Sequence, residues 1–80
     1  MITYFKSQRD LADTLIKIID SYWSLQISEP DLIDYLNKVY ENNKDKVYKQ
    51  KKITSVVSQR LGKKRLNLLI QILNLEEVLE

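Results

Sequence analysis

Apolar residues recur along most of this chain at spacings of three and four, the period of an amphipathic helix. In the first such segment Leu11, Leu15, Ile18 and Tyr22 form one stripe and Ala12, Ile16, Ile19 and Trp23 the adjacent one. Asp13, Lys17 and Asp20 are left on the outward side, so the broad apolar face is predicted to be buried, Trp23 included. Ser7 followed by Asp10 is an approximate capping box that starts the helix, and Tyr4 and Phe5 can fold back onto it. LQIS, residues 25–28, is too short for a helix and reads as an extended connector. Ser28-Glu29-Pro30-Asp31 then opens a second helix. The serine caps, the proline sits where its missing N–H is not needed, and the acids complement the positive helix end. Leu32, Leu36, Val39 and Tyr40 supply the buried stripe. Asn42-Asn43 is predicted to end the helix, because asparagine tolerates the left-handed cap conformation.

KDKVYKQKK, residues 44–52, breaks the pattern. Val47 and Tyr48 are its only apolar members and are expected to anchor a loop to the core, although Tyr48 between lysines also suits stacking on an unpaired base. Thr54 can cap a third helix running to Leu61, with Gly62 as its stop, and a fourth helix is predicted over 64–79. One glycine and one proline leave no linker, so residues 1–80 are read as a single domain. The expected fold class is all-α: a small four-helix domain with a central apolar C-terminal helix and a helix-turn-helix-like corner at Gly62.

That corner matches the DNA-reading pattern only in part. Ser58 is the small residue four before the glycine, Val57 and Leu61 are apolar at five and one before, and Leu68 is apolar six beyond. Lys63 stands where an apolar plug is usual, and Gln71 stands at a later core position. Helix four is also too apolar to lie in a groove: Leu66, Leu68, Leu69, Ile70, Ile72, Leu73 and Leu75 leave only Asn67, Gln71 and Asn74 as a polar stripe. Such a helix is buried within the domain or against a second copy. The third helix is the better reader. Ile53, Val56, Val57 and Leu61 share one face, and Thr54, Ser55, Ser58 and Gln59 share the other. Arg60 projects to the apolar side and is expected to pair with an acid such as Glu76 or Glu77.

Charge sharpens this picture. The net charge of +2 divides into −3 over residues 1–43, +8 over 44–65 and −3 over 66–80. The middle segment holds nine cations against Asp45 alone. Segregation of this kind suits a polyanionic partner, although a solvated basic rim gives the same pattern. Candidate contacts are Lys49, Lys51, Lys52, Lys63, Lys64 and Arg65 to phosphates, with Ser55 and Gln59 placed to read bases.

Other classes recede. There is no cysteine and no histidine, so disulfides, thiolate metal sites and the commonest general base are all missing. The acids have no calcium-loop spacing, a single glycine cannot cradle phosphates, and no serine has an activating context. Neither an enzyme, a metal nor a cofactor is expected. MITYFKSQRD lacks the features of a signal peptide and no apolar run approaches a bilayer span, so a cytoplasmic protein without membrane contact is expected.

SQRDLADTLIKIIDSYW, DLIDYLNKVYENNKDKVYK and ITSVVSQRLGKKRLNLLIQIL together resemble a family of uncharacterised proteins of about this length from clostridia, related low-GC bacteria and their mobile elements. The resemblance implies a small helical fold and carries over no functional residue. The first functional expectation is therefore a nucleic-acid-binding accessory or regulatory protein, acting on double-stranded DNA and dimeric. The alternative is a non-enzymatic protein-interaction module, an adaptor or mobile-element inhibitor, whose basic face docks an acidic protein.

Overall fold

The computed structural model describes residues 5–49 and 52–74. Its elements are α1 (Gln8–Trp23), α2 (Glu29–Asn42), a single-turn α3 (Lys44–Val47), β1 (Tyr48–Lys49), β2 (Lys52–Ile53) and α4 (Ser55–Leu73). The protein is mostly helical, and the only departure from an all-α chain among the described residues is the antiparallel pair β1–β2. The three long helices pack against one another in pairs, α1 on α4 most extensively. Between them lie Leu11, Leu15 and Ile19 of α1, Leu32, Leu36 and Val39 of α2, and Val57, Leu61 and Leu69 of α4. Phe5 and Tyr40 cover the margin of this core, whereas Tyr4 lies outside the described residues.

Both predicted helix starts are present. Ser7 Oγ accepts from the Asp10 N–H at 3.1 Å, and Ser28 Oγ accepts from the Asp31 N–H at 3.3 Å. Pro30 falls in the first turn of α2, where helix N–H groups have no carbonyl partner.

Four expectations are corrected. The connector 25–28 is not extended: Leu25 is left-handed, with φ 64°. Its N–H donates to the Tyr22 carbonyl at 3.0 Å and the Gln26 N–H to the Ser21 carbonyl at 2.8 Å, the double closure of a Schellman motif. Glycine normally holds that position, because a Cβ there costs about 1–2 kcal/mol. Asn43 does end α2, but not as a left-handed cap, since its φ is −142° and ψ 32°. It works through its buried side chain: Nδ2 donates to the Val39 carbonyl at 2.7 Å, and Oδ1 accepts from the Phe5 N–H at 3.0 Å.

The lysine-rich stretch is the third correction. It folds as α3 and the hairpin rather than a plain loop, pinned by buried Val47 and half-buried Tyr48. Thr54 does not cap α4 with its side chain; its hydroxyl donates to the Lys46 carbonyl at 2.6 Å and its N–H to the Val47 carbonyl at 2.9 Å. The start of α4 is thereby tied to the hairpin base. Gln8 Nε2 donates to the same Lys46 carbonyl at 3.3 Å, bringing α1 into the junction.

The fourth concerns the C-terminal half. The predicted third and fourth helices are the two halves of α4, broken only at Gly62, with φ 79° and ψ 170°. α4 ends at Leu73, with Asn74 left-handed (φ 53°) and its N–H turned back to Gln71 and Ile70. The remainder of the predicted 64–79 helix lies outside the described residues.

A candidate nucleic-acid interface

The hairpin register sets Tyr48 opposite Ile53 and Lys49 opposite Lys52. Alternation along so short a ribbon turns one pair inward and the other outward. Ile53 is buried and Tyr48 half-buried, while both lysines are exposed. Like charges facing each other across strands are destabilising. The pairing therefore concentrates positive charge at the outer edge of the hairpin. Lys51, between the strands, lies outside the described residues.

β2 leads through Thr54 into the first half of α4. Val57 and Leu61 are buried there and Val56 half-buried, as the helical period requires. Ser55 and Gln59, one turn apart, are exposed, and Ser58 is half-buried. Beyond Gly62, Lys63 and Lys64 are exposed. Lys49, Lys63 and Lys64 make no ion pair among the described residues. The seven residues of the first half-helix, Ser55 to Leu61, rise about 10 Å between the hairpin and Gly62.

The arginines are used differently. Arg60 pairs with Asp13 of α1 at 3.1 Å, while Glu76 and Glu77, the acids expected for it, lie outside the described residues. Arg65, a predicted phosphate contact, is half-buried and engaged on every side. Its Nε and Nη2 hold the two carboxylate oxygens of Asp20 at 3.0 and 3.1 Å, and Nη1 donates to the Leu61 carbonyl at 3.1 Å. Its guanidinium carbon lies 5.8 Å from the centre of the Trp23 ring. Trp23 is 46% exposed rather than buried, because the helix end it occupies projects past the core.

Asp13 and Asp20 are two turns apart on one rigid helix, about 10 Å along its axis. One grips the half of α4 before Gly62 and the other the half after it. Surface pairs of this exposure contribute at most about 1 kcal/mol each. Their role is geometric: α1 acts as a strut that sets the angle between the halves. Lys63 and Gln71, the two positions that depart from the helix-turn-helix pattern, are exposed, so neither plugs the corner. Local reading saw Asp13 and Asp20 as outward acids, and only their alternation with the core face hinted at partners.

Among the described residues no cluster of acidic side chains could hold a metal ion, and no helix is long and apolar enough to cross a membrane. These features define a small helical protein with a basic hairpin and a basic corner. The chain belongs to a family described as "conserved hypothetical protein", whose profile matches residues 2–74. No curated protein and no solved structure matches it.

Proposed function

We propose that this protein binds double-stranded DNA as an accessory or regulatory factor, with the β1–β2 hairpin and the first half of α4 facing the duplex. The observation that carries this reading is the exposure of Lys49 and Lys52 at one end of a polar helical face and Lys63 and Lys64 at the other. In the proposed complex these four lysines meet phosphates, and Ser55 and Gln59 approach base edges. Arg65 takes no part, because its guanidinium holds the corner together. The corner at Gly62 then presents the first half-helix, in the manner of a helix-turn-helix with its usual reader exchanged.

Four neutralised phosphates give a log–log salt slope of about −3.6. Fluorescence anisotropy with labelled mixed-sequence duplex, at low and near-physiological salt, should show this dependence. A Lys49/Lys52/Lys63/Lys64→Glu variant with unchanged helical circular dichroism should lose binding. Absence of binding by wild type at low salt, or a salt-independent affinity, sinks the reading and turns the basic face toward an acidic protein.

A further inference from the structure

Among the described residues three large apolar side chains are exposed: Trp23, Leu25 and Ile33. Helix four, whose apolar surplus suggested self-association, is not among their sources; its Leu66, Leu68, Ile70, Ile72 and Leu73 pack against the core. Leu25 is the anomaly. It is 91% exposed, yet it occupies a left-handed backbone position that favours glycine. A leucine there gains nothing inside one chain.

Beside it runs a cleft of about 290 Å³ between α1 and α2, with Ile18, Ile27 and Tyr35 as its apolar walls and Thr14, Lys17 and Ser21 along its rim. The Leu25 turn is bonded directly onto that rim, since the Gln26 N–H donates to the Ser21 carbonyl. Ser21 and Ile27, on either side of Leu25 in the chain, both line the cleft, so knob and cleft are neighbours.

We propose that this face is a two-fold self-association surface, in which Leu25 of each copy enters the α1–α2 cleft of the other. A surface that carries both a projection and a recess side by side can satisfy the self-complementarity of a two-fold interface. The volume suffices: the cavity left by a leucine-to-alanine truncation is about 150 Å³. Charge also fits a second copy. Glu29 and Asp31, exposed just after the knob, would approach exposed Lys17 on the facing rim. The same acids beside Leu25 disfavour an anionic membrane as the occupant. An 80-residue domain has little stability to spare, so covering this face benefits the fold as well. The inference does not depend on DNA binding.

Sedimentation equilibrium of the full chain across a wide concentration range tests it, with Leu25→Gly as the variant. Glycine relieves the left-handed strain, so this variant should melt no lower as a monomer while its dimer dissociation constant rises at least about tenfold. Because the chain has no cysteine, Leu25→Cys mixed with Thr14→Cys should give a cross-linked heterodimer with a short thiol reagent. A wild type that stays monomeric throughout, a Leu25→Gly dimer of unchanged affinity, or knob-to-knob products without the mixed one would each overturn the proposal.

Discussion

Replacing Gly62 by alanine is expected to destabilise the protein by about 1–3 kcal/mol, the usual cost of forcing a side chain into a glycine-only backbone region. For a domain of this size each kcal/mol corresponds to a melting temperature lower by about 4–8 °C. The cause is confined to the backbone. At φ 79° and ψ 170°, Gly62 lies far from any region open to L-residues, yet an added Cβ would meet no heavy atom within 4 Å. The variant can escape the strain by straightening α4, but then Asp13 and Asp20 can no longer hold both Arg60 and Arg65. D-alanine at the same position, in a synthetic chain, makes the decisive comparison, because positive φ is natural for it. Urea unfolding should show the D-alanine protein close to wild type and the L-alanine protein well below it. Equal losses in the two would mean that crowding, and not backbone conformation, selects glycine.

Asn43→Ala is expected to cost about 2–3 kcal/mol, because it strands two backbone groups away from water. The Asn43 side chain joins the Phe5 N–H to the Val39 carbonyl, and the residue is only 3% exposed. Its backbone carbonyl also accepts from the Lys46 and Val47 N–H groups at 2.9 and 3.2 Å. The end of α2, the start of α3 and the segment before α1 thus converge on one residue. The loss should spread to the hairpin, whose base is secured through the Lys46 and Val47 carbonyls. Amide hydrogen exchange should therefore quicken at Val47 and Thr54 in this variant. Asn67→Ala, at an exposed site on α4, is the control and should stay within about 0.5 kcal/mol of wild type. Equal stability of the two variants would contradict the bridging role assigned to Asn43.

Much of the helical framework was legible because its causes are local. A serine cap reaches three residues along the chain, so Ser7 and Ser28 could be recognised without knowing the fold. The stripe Leu32, Leu36, Val39 follows from 3.6 residues per turn, and all three are fully buried. Gly62 announced a break because it is the only glycine in a strongly helical context. Where the same local logic met a competing contact it misassigned the detail. Thr54 has the residue type of a cap, but its hydroxyl finds the Lys46 carbonyl instead. Asn43 has the residue type of a left-handed terminator, but its amide is worth more bridging two buried backbone groups.

The candidate interface was legible only as a supply of charge. Nine cations between residues 44 and 65 are a property of composition, and composition does not say which of them are engaged. Arg60 and Arg65 find their acids 47 and 45 positions away, which no spacing rule relates. Trp23 and Leu25 lie where the helical pattern runs out, and their exposure depends on where α4 and α2 happen to cover α1.

By itself the sequence determined the helical class, the starts of α1 and α2, their core stripes, the break at Gly62 and the concentration of positive charge. All of these arise from interactions within about a turn of helix, or from counting. Tertiary structure alone decided that the lysine stretch folds into a hairpin, that Asn43 binds three segments together, and that α1 holds the two halves of α4 apart. It also decided which cations remain exposed and left Leu25 standing in solvent. Those outcomes depend on distances between residues far apart in the chain, and packing sets such distances.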